Sequence, residues 1–178
     1  MWLIFLWLAA SLTIYPVASA EEGKEQIEKV IYSTGQADDG WMDMGTFYSA
    51  SGTIDVTGPA VFPGAIYGRG SSTNVHTINL HFNLDAATDL VLLLGIFSES
   101  GGDSALSTEE LKVFLNGELL QAIDLLPEGS VTKEPKKQKV IMVPAETGAN
   151  VLTLDMNHNL NLYNCWFDYV LLYQPRNP

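Results

Sequence analysis

Ile78-Asn79-Leu80-His81-Phe82-Asn83-Leu84 alternates apolar and polar side chains without interruption. Successive side chains of an extended chain point to opposite faces, so Ile78, Leu80, Phe82 and Leu84 face a core and Asn79, His81 and Asn83 face away from it. Downstream, residues 90–97 are apolar throughout, as in a strand covered on both faces. Leu111-Lys112-Val113-Phe114-Leu115 then leads into Asn116-Gly117 and a second run over residues 118–125. Asn-Gly between two such runs signals a hairpin, because both central residues of a type I′ turn take positive φ.

The same grammar fills the rest of the chain. Residues 139–143 read as a strand, 144–150 as a turn, 151–156 as a strand and 166–173 as the last strand. Residues 28–33, 53–57 and 65–69 are further strand candidates. One helical turn is expected at residues 107–111, where Ser107-Thr108-Glu109-Glu110 supplies a cap. The lysine-rich stretch Lys133-Glu134-Pro135-Lys136-Lys137-Gln138-Lys139 reads as a solvated hairpin tip. About eight to ten short, mostly antiparallel strands without alternating helices indicate an all-β fold, a β-sandwich or jelly roll.

Residues 1–20 read as an export signal rather than fold. An apolar run from Trp2 to Ala10 is followed by Pro16 and by Ala18-Ser19-Ala20, the small-x-small pattern a signal peptidase accepts. The run is too short for a spanning helix, which needs roughly 20 apolar residues. Residues 21–178 then form one domain of ordinary size. The formal charge of −12 belongs wholly to that part and argues against nucleic acid or anionic membrane as partner, since phosphate binding needs clustered Lys and Arg. The lone Cys165 excludes an intrachain disulfide, and no Asn-x-Ser/Thr acceptor occurs. Both absences lean toward a bacterial secreted, periplasmic or extracellular protein. Cys165, beside Trp166 in an apolar run, reads as a buried and inert thiol.

The chain carries no Gly-x-Ser-x-Gly elbow, no phosphate-cradling glycine loop and no His-Glu-x-x-His, and no catalytic residue is assigned. His76 and His81 are five apart on one strand, hence on opposite faces, and cannot chelate a metal together. Asp38-Asp39-Gly40-Trp41-Met42-Asp43 lacks the spacing of an EF-hand and reads as a polar turn. Asp168, by contrast, interrupts Trp166-Phe167-Asp168-Tyr169-Val170-Leu171-Leu172-Tyr173. A carboxylate there must be offset by an ion pair with Arg69, by backbone hydrogen bonds or by a structural calcium ion.

Two segments combine aromatic and hydrogen-bonding side chains. In Asp155-Met156-Asn157-His158-Asn159-Leu160-Asn161-Leu162-Tyr163-Asn164-Cys165-Trp166, four asparagines and a histidine accompany Tyr163 and Trp166. Sugars are held by this combination, an aromatic plane against the C–H face and amide or imidazole groups against hydroxyls. An asparagine-rich turn bonded to its own backbone is the alternative. The second cluster is Trp41, Phe47 and Tyr48 with Tyr67-Gly68-Arg69-Gly70-Ser71-Ser72-Thr73-Asn74, where Arg69 can reach a hydroxyl or carboxylate.

Tyr67-Gly68-Arg69-Gly70, the strand ending Phe82-Asn83-Leu84, Val113-Phe114-Leu115-Asn116-Gly117, Gly148-Ala149-Asn150-Val151-Leu152-Thr153-Leu154 and Trp166-Phe167-Asp168-Tyr169-Val170-Leu171-Leu172 follow in an order that resembles the galactose-binding-like jelly rolls of carbohydrate-binding modules. The C-terminal accessory domain of rhamnogalacturonan lyases is similar. The resemblance spans about residues 65–173, and its motifs specify turns and core more than a sugar site. It implies a non-catalytic module that holds a partner enzyme on polysaccharide. It also implies a structural calcium with Asp168 among its ligands, although the Glu-Ala-Glu-like opening strand that supplies the others is missing.

The expected function is therefore secreted carbohydrate binding through Trp41, Tyr67, Arg69, Asn157, His158, Tyr163 and Trp166, with polysaccharide as partner. The same sandwich serving as an envelope structural or protein-interaction module is the alternative. A small polysaccharide lyase using His81 or His158 with Tyr67 is the third.

Overall fold

The computed structural model describes residues 27–35, 52–57, 63–70, 75–99, 110–125, 137–160 and 164–176. The strands are β1 (Ile27–Gly35), β2 (Gly52–Thr57), β3 (Ala65–Tyr67), β4 (Val75–Leu84), β5 (Thr88–Glu99), β6 (Glu110–Leu115), β7 (Glu118–Asp124), β8 (Lys137–Ala145), β9 (Gly148–Asp155) and β10 (Asn164–Pro175). They form two sheets, one in the order β1-β10-β5-β8 with β3 also on β10, the other β2-β4-β9-β6-β7. Every pairing is antiparallel except β2 with β4. The expected all-β sandwich is what is observed, and among the described residues no helix is long and apolar enough to cross a membrane.

Alternation sets the core. Ile78 and Leu80 of β4, Leu152 and Leu154 of β9, and Leu111 and Val113 of β6 pack against Leu90, Leu92, Leu94 and Ile96 of β5 and Phe167, Val170 and Leu172 of β10. Each such side chain contributes roughly 1.5–3 kcal/mol by leaving water. The Asn116-Gly117 hairpin forms as expected, with φ of 50° and 87°.

Some expected boundaries move. Residues 144–150 are mostly strand, with only Glu146 and Thr147 between β8 and β9. Asn150 makes this tight connection possible. It is buried, its amide donates to the carbonyls of Glu146 (2.8 Å) and Gly148 (3.0 Å), and its Oδ1 accepts from the Glu146 N–H (3.1 Å) and Asn116 Nδ2 (3.1 Å). Of the helical turn expected at residues 107–111, residues 107–109 lie outside the described part, and Glu110 and Leu111 open β6, their backbones pairing with Asp124 and Ile123. Lys137 and Lys139 belong to β8, whereas residues 133–136 lie outside the described part. The third strand stops at Tyr67, leaving Arg69 in a turn.

One irregularity governs the functional end. In the β10–β5 ladder Phe167 faces Ile96 and Tyr169 faces Gly95, so Asp168 is the extra residue of a β-bulge. The bulge shifts the alternation by one: Cys165 and Phe167 point to the core before it, Val170 and Leu172 after it. On the opposite edge of β10, β3 pairs with residues 164–166 and β1 with residues 169–175, so Asp168 falls between these two partners.

Candidate functional site

At the end of the sandwich where β3 stops and β10 starts, two polar turns meet. Tyr67 closes β3 and is opposite Asn164. The Tyr67 carbonyl lies 2.8 Å from His76 Nδ1. A carbonyl only accepts, so Nδ1 carries the proton and the buried His76 is a structural donor. His81, five residues on, is on the other face of β4 beside Asp55, as the spacing requires.

The second turn, residues 156–160, is fixed from three sides. The Met156 N–H donates to the His76 carbonyl (2.9 Å), and the Arg69 N–H donates to the Asn159 carbonyl (2.6 Å). The buried Asn159 side chain donates to the Glu110 carbonyl (3.0 Å) and accepts from the Glu110 N–H (3.4 Å), tying the turn to β6. Asp155 closes it locally: Oδ1 accepts from Thr77 Oγ1 (2.6 Å) and from the Asn157 N–H (3.1 Å), and Oδ2 lies 3.3 Å from His158 Nδ1. The imidazole of His158 is thereby turned inward, with Nδ1 on a carboxylate and Nε2 buried, so neither ring nitrogen faces a ligand as expected. Asn157 and Arg69 are exposed.

Behind these turns lies an aromatic group. Trp166 stands directly opposite Phe97 and stacks on it, with centroids 6.0 Å apart and planes at 6°. Tyr67 meets Trp166 edge-on at 6.4 Å and 66°. Such pairs each add about 0.5–1.5 kcal/mol beyond burial. Trp166 is only 8% exposed, so its ring supports the cluster, and Tyr67 and Phe97, both half-buried, present the outer surface.

Of the expected site residues, Tyr67, Arg69, Asn157, His158 and Trp166 thus gather at one end of the sandwich. Trp41 and Tyr163 lie outside the described residues. Asp168 is set apart, 1% exposed on the bulge, and the expected ion pair with Arg69 is not formed: among the described residues Arg69 is exposed and makes no ion pair with it. Among the described residues no group of three or more His, Cys, Asp or Glu could hold a metal ion. Asp168 has an electrostatic consequence nonetheless. Burial first, and its charge second, raise the Tyr169 phenol above its usual range, while a hydrogen bond with Gln138 opposes the shift.

Phe97, Asn159 and Asp155 escaped the sequence reading as site-building residues. Phe97 sits in a uniformly apolar run, and only the β5–β10 register brings it to Trp166.

No protein-family model matches the chain, and no curated protein matches it. Solved structures it resembles include a ruminal GH26 endo-beta-1,4-mannanase, at 11% identity and a TM-score of 0.43 over 86% of this chain. The chain spans 28% of that mannanase. They also include a family 35 carbohydrate binding module from an environmental isolate, at 15% identity and a TM-score of 0.41, covering 83% of this chain and 90% of that one.

Proposed function

We propose that the protein is a non-catalytic carbohydrate-binding module whose ligand sits over Tyr67 and Phe97 and is hydrogen-bonded by Arg69 and Asn157. The observation that carries this is the joining of two polar turns by the 2.6 Å Arg69–Asn159 backbone bond beside an aromatic cluster. An apolar plane flanked by guanidinium and amide groups is suited to a pyranose, which offers a C–H face and a rim of hydroxyls. We also propose that residues 1–20 are removed on export to a periplasmic or extracellular space, which N-terminal sequencing of the secreted protein checks.

Titration calorimetry against neutral and uronic-acid polysaccharides tests the binding. Tyr67→Ala should weaken affinity about tenfold, the equivalent of about 1.4 kcal/mol, without changing the thermal midpoint by more than a few degrees. Heat from no glycan would dispose of the reading. A protein-interaction role has its own support in Val140 and Met142, which are 61% and 56% exposed on the outer face of β8. Concentration-dependent mass in light scattering, abolished by Val140→Lys, would favour that second reading.

A further inference from the structure

The outer face of the sheet β2-β4-β9-β6-β7 borders the second of the two polar turns at Asp155 and runs from there across the strands. One row of side chains crosses it strand by strand: Asp55 opposite Asn79, Asn79 opposite Thr153, Thr153 opposite Phe114, and Phe114 opposite Leu119. Neighbouring strands lie about 4.8 Å apart, so the row from Asp55 to Phe114 is about 14 Å long. Its polar half is cross-braced. Asn79 Nδ2 donates to Asp55 Oδ1 (3.0 Å), Thr153 Oγ1 donates to Asn79 Oδ1 (2.9 Å), and His81 Nε2 lies 3.3 Å from the same Asp55 oxygen.

Outer faces of antiparallel sheets are commonly polar, so polarity alone says little. Two features separate this row from a merely solvated face. Side chains from three strands hydrogen-bond to one another although Asp55 and His81 are 69% and 40% exposed, so a ligand meets groups already oriented by their neighbours. The row also changes character along its length, from carboxylate and amide through hydroxyl to phenyl and the exposed Leu119. We propose that this face is a second binding surface, for a neutral oligosaccharide laid across β2, β4, β9 and β6, with hydroxyls on Asp55, Asn79, His81 and Thr153 and a ring face on Phe114.

Charge selects the occupant. The outward positions of these strands hold four carboxylates, Asp55, Asp155, Glu110 and Asp124, against one ammonium, Lys112, which is directly opposite Asp155. With a chain charge of −12, a polyanion is repelled, whereas a neutral polyol needs the mixture of donors and acceptors present. The surface shares no residue with Tyr67, Arg69, Asn157 or His158, so the two proposals stand separately.

Amide chemical shifts of the isotope-labelled protein, titrated with cellohexaose, xylohexaose and mannohexaose, test it directly. The expected result is movement at Asn79, Phe114 and Thr153 with at least one of these. Asp55→Ala and Phe114→Ala should each weaken that binding about tenfold, and Tyr67→Ala should leave it unchanged. Asp55 is exposed, so its variant carries the test should Phe114→Ala fail to fold. Shifts confined to residues 67–70 and 157–160 would overturn the second surface and leave the first standing. Silence with all three sugars, or undiminished binding by Asp55→Ala, would also overturn it.

Discussion

The Tyr169 ring lies across Gly95, its cross-strand neighbour, and reaches Gln138 on β8, which is opposite Gly95 in turn. A Cβ on Gly95 would sit 2.4–2.8 Å from three ring atoms, so the glycine is required by the tyrosine rather than by its own backbone. Gly95→Ala should cost about 1–3 kcal/mol in urea unfolding, and a Gly95→Ala, Tyr169→Ala double variant should recover much of that through its coupling term. The phenol also sets an alkaline limit. A neutral tyrosine whose folded pKa is raised contributes stability that is fully present below the usual value of 10.0 and lost as pH rises through the folded value. Stability measured from about pH 9 to 11 should fall less steeply in Tyr169→Phe than in the parent, with Tyr173, raised by burial, left to supply part of the decline. Cys165 behaves as its sequence context suggests. It is fully buried and burial pushes its thiol far up, so a thiol reagent should label it only on unfolding. Other residues were not legible in this way. Asp168 could be recognised as anomalous from its apolar neighbours, but its place on a bulge depends on register with β5, which composition does not encode.

Strands were read well where alternation or a turn signal was strong and poorly where pairing decided the outcome. Residues 78–84 and the Asn116-Gly117 hairpin announce themselves, because burial on one side and positive φ constrain residue type directly. The parallel β2–β4 pair, which brings Asp55 to Asn79 and His81, joins residues 24 and 26 positions apart through a connection with no comparable constraint. Likewise residues 144–150 carry Pro and Gly and look like a loop, yet Asn150 folds them into two strand ends by satisfying the turn's backbone from inside. That makes Asn150 the pin of two hairpins at once, since Asn116 of the β6–β7 turn also donates to it and accepts from the Val151 N–H at 2.9 Å. Asn150→Ala should therefore destabilise by about 1–3 kcal/mol, removing the buried amide that bonds the Glu146 backbone and the Gly148 carbonyl. Asn116→Ala, on an exposed residue, should cost less, and the two changes should be non-additive.

At the scale of the molecule, the sheets divide their labour by polarity. The outer face of β5, β8 and β10 carries Val91, Leu93, Val140, Met142, Leu171 and Tyr173, while that of β2, β4 and β9 carries Asp55, Thr77, Asn79, His81, Thr153 and Asp155. The second is lined with groups that donate to and accept from hydroxyls, and the turn at residues 156–160 borders it through the Thr77–Asp155 bond. Both proposed surfaces thus belong to a chain of net charge −12, and that charge discriminates between ligands at long range. The screening length falls from about 10 Å at 0.1 M salt to about 3 Å at 1 M. Binding of a neutral glycan should hold within about twofold across that range, because its contacts are short hydrogen bonds and ring packing. Any binding of a uronic-acid polymer should instead strengthen as salt screens the repulsion, the reverse of the trend for a protein that neutralises a polyanion with Lys and Arg. Calorimetry of one neutral and one acidic polysaccharide at both salt concentrations separates these cases. Weakening of the acidic ligand by salt would mean that a cationic site, with Arg69 or Lys112 as its described candidate near the turns, outweighs the charge of the whole molecule.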